Sequence, residues 1–183
     1  MNKSFTALAM LALAMSLMLP TAKAANLDDA GYNRGRIQID GDLAASKTGC
    51  ASLAGNANRV CIEEANGKAK VSLAELEYAR SGKSVDQAHV LVAKAESTYA
   101  VSVQKCEDFA GNVKDICVEK AKAAQSRALV EARLGKQASG AAIEASPEVL
   151  DADYKVAVEQ CDTFAGQAKA ECLANAKVKF ARH

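Results

Sequence analysis

Apolar side chains before Cys106 recur at alternating steps of three and four residues. The positions are Val85, Ala88, Val92, Ala95, Tyr99, Ser102 and Cys106, of which Ser102 is the one polar member. A second stripe of the same kind follows, at Cys117, Ala121, Ala124 and Ala128. This spacing is typical of one face of an α-helix that packs against a core. The pattern therefore predicts two amphipathic helices that flank a short segment, with both cysteines on buried faces.

The segment between these stripes occurs three times in the chain. Its copies are CASLAGNANRVC (50–61), CEDFAGNVKDIC (106–117) and CDTFAGQAKAEC (161–172). Each copy has ten residues between its cysteines and the pair Ala-Gly at the same place, preceded by Leu53, Phe109 or Phe164. The copies start 56 and 55 residues apart. A fixed internal period of this kind indicates a repeat architecture.

A glycine near the middle of each copy predicts a turn between two helices. The three glycines are Gly55, Gly111 and Gly166. A glycine just past a helical pattern suits the left-handed position that ends a helix. Asn112 then suits the N-cap of the next helix, with Asp115 three residues on. The simplest structure is an αα-hairpin in each copy.

Hairpin geometry predicts how the six cysteines pair. In one unbroken helix, cysteines 11 positions apart would lie about 16 Å apart along the axis, whereas a disulfide needs Cα atoms within about 7 Å. A chain that folds back at the glycine brings them together. Six cysteines allow 15 pairings, and the repeat favours one of them. The predicted bonds are Cys50–Cys61, Cys106–Cys117 and Cys161–Cys172, each contributing about 2–3 kcal/mol to stability.

The first 24 residues have the pattern of a secretory signal peptide. Lys3 lies in a short basic start, an apolar run extends from Phe5 to Leu19, and Ala22-Lys23-Ala24 forms a cleavage site. The apolar run is shorter than the roughly 20 residues that span a bilayer. We expect cleavage after Ala24, no stable membrane insertion afterwards, and a periplasmic or secreted protein in a compartment where disulfides persist.

The composition after residue 24 changes the picture of the core and of the partners. All four methionines lie in the signal segment, and the rest of the chain has no tryptophan and one proline. Abundant alanine and few aromatics predict an all-α protein with a thin core. Since the signal holds two of the 23 basic residues, 21 remain against 22 acidic residues. This balance argues against nucleic acid or an anionic membrane surface as a partner held by bulk charge.

Candidate catalytic and metal chemistry finds little support in the sequence. Thiol oxidoreductases favour C-x-x-C at a helix N-terminus, whereas these cysteines are ten residues apart on apolar faces. Zinc sites use short cysteine spacings or cysteine with histidine, and His89 and His183 do not repeat with the cysteines. Hydrolase motifs are absent. We expect no enzyme, no cofactor and no metal. Tyr99 and Tyr154 are interpreted as core residues, with a ligand platform as the alternative.

The chain divides into three units after the signal, at about 36–83, 84–136 and 146–183. Residues 135–146 are predicted to form a flexible link. Ser146 and Pro147 have the pattern of an N-cap and first helical residue. Residues 26–41 hold Gly31, Gly35 and Gly41, while Ile37 and Ile39 alternate with polar side chains. We expect a frayed start or an irregular helix there.

The second copy resembles a known group of exported proteins. Its pattern, Cys106, Gly111, Asn112, Lys114, Asp115 and Cys117 followed by a helix rich in Ala, Lys and Glu, is similar to that of small proteobacterial proteins sometimes labelled TolA-like or cell-envelope biogenesis. The third copy departs from the pattern at Gln167 and Glu171. The resemblance implies an exported helical protein and assigns no functional residue.

The sequence therefore predicts an all-α protein of tandem disulfide-stapled helical hairpins that pack as a small bundle. The first hypothesis for function is a non-enzymatic protein of the cell envelope, with a structural, stress or protein-interaction role and an unidentified protein partner. A periplasmic metal- or small-ligand-binding protein is the alternative. A thiol–disulfide redox protein is the second alternative. The sequence does not specify the oligomeric state.

Overall fold

Seven helices and no strand make up residues 27–135 and 140–180, the part of the chain that the computed structural model describes. The helices are α1 (Asp29–Cys50), α2 (Gly55–Ser81), α3 (Ser84–Cys106), α4 (Gly111–Leu134), α5 (Gly140–Glu144), α6 (Pro147–Cys161) and α7 (Gly166–Lys179). The predicted all-α class is confirmed. The signal segment, residues 136–139 and His183 lie outside the described residues.

Three hairpins, α1–α2, α3–α4 and α6–α7, are each closed by one disulfide. The bonds join Cys50 to Cys61, Cys106 to Cys117 and Cys161 to Cys172, with Cα atoms 5.6, 5.7 and 5.6 Å apart. The predicted pairing is confirmed. In each hairpin the first cysteine is the last residue of the first helix, so the bond fixes the place where the chain turns back.

The turn of each hairpin takes four residues and ends at the repeated glycine. Gly55, Gly111 and Gly166 have φ of +61°, +55° and +58°, so the predicted left-handed conformation is confirmed. Their place differs from the prediction, because each begins the second helix instead of ending the first. The N-caps of the second helices are alanines without a capping side chain. The predicted cap by Asn112 is therefore wrong, since its side chain reaches a neighbouring hairpin.

Helix α1 is regular from Asp29, which contradicts the frayed or irregular start predicted for residues 26–41 over the part that the structure describes, residues 27–41. The Asp28 side chain caps the helix by accepting a hydrogen bond from the Gly31 amide at 2.7 Å, and the first unit thus begins before residue 36. Gly35 allows α2 to pack closely, because a Cβ there would lie 2.6 Å from Leu76 Cδ1. Ile37 points to solvent with 72% of its surface exposed, which explains why an alternating pattern arises on a helix.

The predicted flexible link contains a short helix. Helix α5 packs against α4 and α6, and Arg127 on α4 forms ion pairs with Glu144 and Asp153. Ser146 caps α6 as predicted, accepting from the Val149 amide, with Pro147 at the first helical position. The segment 140–144 is therefore ordered by an arginine that joins it to the third hairpin.

The helices pack in chain order, and each contacts only its neighbours along the described chain. The contacting pairs are α1 with α2, α2 with α3, α3 with α4, α4 with α6, and α6 with α7. The short helix α5 contacts α4 and α6. The bundle is thus a single layer of helices. A helix inside a layer is covered on two sides, which is why Val90 and Ala93, off the predicted stripe, are buried. Val85, on the stripe, lies in the first turn of α3 and is 54% exposed.

Small side chains dominate the buried positions, as the composition predicts. Ala65, Ala121 and Ala176, each four residues after the second cysteine of a hairpin, are 7%, 8% and 6% exposed. Tyr99 and Tyr154, interpreted as core residues, are only half-buried, because a single layer has no enclosed interior. None of the described helices combines the length and apolar character needed to cross a membrane.

Candidate functional site

Open grooves between neighbouring helices are the concave features of the described chain. The groove of the first hairpin measures about 20 Å³ and is lined by Ile39, Asp42, Leu43, Ser46, Ala65, Lys68, Ala69 and Ser72. The groove of the second hairpin measures about 210 Å³. Its lining includes the residue 56 positions later in every case: Ala95, Thr98, Tyr99, Ser102, Ala121, Ala124, Gln125 and Ala128. The repeat therefore places one groove at the same site of both hairpins.

The third hairpin has a wider groove with an apolar lining. It measures about 450 Å³ and lies beside Cys161, Cys172, Phe164 and Phe180. Tyr154 packs edge-on against Phe180, with ring centroids 6.2 Å apart. Tyr154 holds the position of Tyr99, so the two tyrosines occur on equivalent hairpin faces but have different neighbours.

The largest groove lies between the first and second hairpins and measures about 600 Å³. Two ion pairs cross it: Lys94 with Glu75 at 2.8 Å and Lys105 with Glu64 at 3.0 Å. Exposed pairs of this kind contribute little to stability. They nevertheless leave the rim of the groove with both signs of charge.

Three of these grooves lie side by side on one face of the layer. Lys68 and Ser72 line both the first-hairpin groove and the large groove. Lys94, Thr98 and Ser102 line both the large groove and the second-hairpin groove. We call the surface formed by these five ridge residues the grooved face.

The opposite face of α2 and α3 carries a smaller groove. It measures about 150 Å³ and is lined by residues that include Asn66, Lys70, Glu96 and Ala100. Lys70 and Glu96 form an ion pair there. The two faces of the layer therefore differ, and the broad concave surface is on the grooved face.

A close approach of two helices forms the floor of the large groove. Ser97 Oγ on α3 donates to the Gly67 carbonyl on α2 at 3.3 Å. A Cβ at residue 67 would lie 2.9 Å from the Ser97 Cβ. Gly67 was not predicted from the sequence to have a role. The feature of the sequence that could have identified it is a glycine within a helical pattern. Such a glycine often has a packing role, and here it allows α2 and α3 to approach closely.

An asparagine joins each of the first two hairpins to the next. Asn56 Nδ2 donates to the Gln104 carbonyl at 2.8 Å, and Gln104 Nε2 donates to Asn56 Oδ1 at 2.6 Å. Asn112, the equivalent residue, donates to the Glu159 carbonyl at 3.1 Å. Both accepting residues precede the first cysteine of the next hairpin by two positions. The repeated Asn after each glycine is thus a contact between hairpins.

Replacement of Asn56 by alanine is expected to lower the free energy of unfolding by about 1–2 kcal/mol, because two hydrogen bonds between hairpins are lost. The matched control is Gln167→Ala at the equivalent position of the third hairpin. Gln167 donates only to the exposed Glu171, at 2.7 Å, so its loss should change stability by less than about 0.5 kcal/mol. Urea unfolding followed by circular dichroism measures both. Equal effects would contradict the role of Asn56 as a contact between hairpins.

The second of these contacts lacks one hydrogen bond that the first one has. Glu159 holds the position of Gln104, and a carboxylate has no hydrogen to donate. The Oδ1 atom of Asn112 is buried without a hydrogen-bond partner. Burial raises the pKa of Glu159 above the ordinary glutamate value, as do Asp162, Asp115 and Glu119, while Lys122 lowers it. A protonated Glu159 would have a hydrogen to offer to Asn112.

Glu159→Gln is expected to stabilise the protein by about 1 kcal/mol at neutral pH, because the amide can donate to Asn112 as Gln104 donates to Asn56. Since the pKa of Glu159 is higher in the fold than in the unfolded chain, its protonation stabilises the fold. That contribution is complete below the ordinary glutamate pKa and is lost as pH rises through the raised pKa of Glu159.

Unfolding free energies of the wild type and Glu159→Gln, measured across this pH range, test the prediction. The difference between them should be largest at neutral pH and shrink as the solution is acidified. A difference that does not change with pH would contradict it.

The described residues contain no group of three or more His, Cys, Asp or Glu side chains placed to hold a metal ion. His89 lies on the surface of α3, and its Nδ1 is 3.4 Å from Asp86. Every described cysteine is in a disulfide. Cys50, Cys106 and Cys161 are each 1% exposed and end their helices, where the helix dipole disfavours a thiolate.

Comparison of the chain with family models, with curated proteins and with solved structures finds no match. The resemblance to small exported proteobacterial proteins therefore stays an expectation. The grooved face is the candidate functional site on geometric grounds alone.

Proposed function

We propose that the protein is an exported, non-enzymatic helical protein of the periplasm that binds a protein partner on its grooved face. The observation that carries this proposal is the alignment of three grooves side by side on one face of the layer. Helical layers of stacked repeats present extended surfaces of this kind to their ligands. The disulfides fit an oxidising compartment, and the signal-peptide pattern supports export.

The chemistry of the grooved face suits a packing surface better than a reaction centre. Its ridges carry short side chains, Ser72, Thr98 and Ser102, which let a partner approach the backbone closely. Lys68 and Lys94 flank them, and Lys94 is already paired with Glu75. The Tyr99 ring lines the adjacent groove and adds apolar area at low entropic cost.

Site-specific photocrosslinking in cells that export the protein tests the proposal. A photoreactive residue at Thr98, on the grooved face, should give a crosslinked protein of defined mass. The same residue at Asn66, on the opposite face, should not. Thr98→Arg should abolish capture by a photoreactive residue at Ser102, and Asn66→Arg should leave it unchanged. Equal crosslinking from both faces, or none from Thr98, would contradict the proposal.

A second candidate function is favoured by the third hairpin. Its groove of about 450 Å³ has two phenylalanines in an apolar lining, and Phe164 is 52% exposed. A small apolar ligand would fit such a site. An increase in the fluorescence of a hydrophobic probe that is lost in Phe164→Ser but kept in Phe109→Ser would support it, since Phe109 is exposed at the equivalent turn.

A further inference from the structure

The two ends of the helix layer expose positions that are covered inside it. On α3, four residues that face α2 are half-buried or buried: Ala93, Ser97, Val101 and Gln104. The residues 56 positions earlier lie on α1 and are all exposed: Ile37, Gly41, Ala45 and Thr48. We call these four residues the head stripe. The first helix thus has the surface of an interior helix without a described neighbour on that side.

The last helix shows the complementary surface. On α4, four residues on the side of α6 are half-buried or buried: Asn112, Ile116, Glu119 and Ala123. The residues 55 positions later lie on α7 and are all exposed: Gln167, Glu171, Ala174 and Val178. We call these four residues the tail stripe. Repeat proteins that stay monomeric usually end in helices with a polar outer face. The head stripe has one polar side chain, Thr48, and the tail stripe has two, Gln167 and Glu171, so neither outer face is polar along its whole length.

The strongest exposure of large apolar side chains in the described chain falls on these stripes. Val178 is 81% exposed and Ile37 is 72% exposed, and the next most exposed large apolar side chain, Val113, is 59% exposed. Both therefore leave apolar area in water at opposite ends of the layer.

At the closest approach between hairpins, one residue on the second helix of a hairpin faces one residue on the first helix of the next. The residues at the same two positions on the tail and head stripes have complementary sizes. Between the first two hairpins, Gly67 lies against Ser97. The equivalent positions of the next two hairpins are Ala123 and Ala152, which are 3% and 7% exposed. At the ends of the layer, the same positions are Val178 and Gly41. The largest of the three side chains on the second helix is thus matched with a glycine, whose Cβ position has no atom within 4 Å.

The ends of the layer also carry an acceptor and a donor at the positions that form the hydrogen bond between hairpins inside it. Inside the layer, Asn56 and Asn112 donate to carbonyls two residues before a cysteine. Thr48 is two residues before Cys50, and its carbonyl has one described partner, the Ala51 amide at 3.2 Å. A carbonyl oxygen has two lone pairs. Gln167 holds the asparagine position on α7 and offers a longer amide.

From this continuity we propose that the protein associates head to tail, with the tail stripe of one copy packed on the head stripe of a second copy. The contact would repeat the packing already present between hairpins, so it extends the layer. Since the two surfaces differ, the contact is heterologous and gives open linear arrays unless the rotation closes a ring. The proposal is independent of the partner proposed for the grooved face.

Sedimentation velocity of the disulfide-bonded full chain over concentrations up to the millimolar range tests the proposal. The mean mass of the wild type should rise with concentration and pass that of a dimer. Val178→Asp should weaken association at least about tenfold. Val113→Asp, which changes an exposed valine away from the tail stripe, should associate like the wild type. Gly41→Arg, at the head stripe, should have the same effect as Val178→Asp, and circular dichroism confirms that each variant is folded.

Mixing two blocked variants tests the direction of the contact. Val178→Asp keeps an intact head stripe, and Ile37→Asp keeps an intact tail stripe. Each alone should be monomeric, and the mixture should form a heterodimer and nothing larger. A wild type that stays monomeric, a Val113→Asp variant as weak as Val178→Asp, or blocked variants that each still dimerise would overturn the proposal.

Discussion

Removal of the disulfide of the second hairpin, by Cys106→Ala with Cys117→Ala, is expected to lower the free energy of unfolding by about 2–3 kcal/mol. The bond closes a loop of 11 residues, and its loss restores the corresponding entropy to the unfolded chain. A layer whose buried side chains are mostly alanine has little apolar area with which to compensate. Urea unfolding followed by circular dichroism, without reductant, measures the loss.

The third hairpin provides the matched control. Cys161→Ala with Cys172→Ala removes the same kind of bond from a hairpin at the end of the layer. Because each helix contacts only its chain neighbours, this variant should lose part of its helical signal before the main transition. The second-hairpin variant should instead split the layer into two weakly coupled parts. Identical curves for the two variants would contradict a layer held by contacts between neighbours.

Replacement of Gly67 by valine is expected to lower the free energy of unfolding by about 1–3 kcal/mol. The new Cβ would lie 2.9 Å from the Ser97 Cβ, so α2 and α3 must separate. The hydrogen bond from Ser97 to the Gly67 carbonyl would lengthen as they do. Thermal unfolding gives the change in stability, and the apolar surface exposed by a looser layer would increase binding of a hydrophobic dye.

Gly49→Val is the control for this substitution. Gly49 is also in a helix, and a Cβ there has no atom within 4 Å. Valine is a slightly better helix former than glycine, so Gly49→Val should be neutral or mildly stabilising. A loss of stability as large as that of Gly67→Val would show that β-branching, and not the contact with Ser97, is responsible.

The local features of this fold were predictable from the sequence because they repeat. Three copies of one segment identified the hairpins, the cysteine pairs and the left-handed glycines at Gly55, Gly111 and Gly166. Each of these features depends only on residues within a single copy of the segment. A single copy does not show which cysteines are bonded to each other, and the repetition of the same cysteine spacing favoured one of the possible pairings.

Contacts between hairpins were harder to predict, because they depend on residues about 48 positions apart. Asn112 matched a helix cap equally well, and only the position of Glu159 in space shows that it is a contact between hairpins. The regularity of α1 was missed because three glycines weaken a helical pattern and Ile37 is exposed. Gly35 in fact lies in a close contact with Leu76, which the sequence pattern does not reveal. The grooved face was not predicted, since its lining of Ser, Thr, Ala and Lys is also typical of an ordinary solvated helix surface.

The order of the disulfides along the chain has a consequence for how the protein matures. Each bond joins a cysteine to the next one in sequence, so no bond encloses or crosses another. A polypeptide that enters an oxidising compartment from its N-terminus exposes Cys50 and Cys61 before any competing thiol arrives. Each later pair arrives after the earlier pair, so a rapid thiol oxidant would close each pair before the next one competes with it. If the chain is exported as its signal-peptide pattern predicts, oxidation in order of arrival gives the native bonds directly, and we expect maturation to need a thiol oxidant but no enzyme that rearranges wrong pairings.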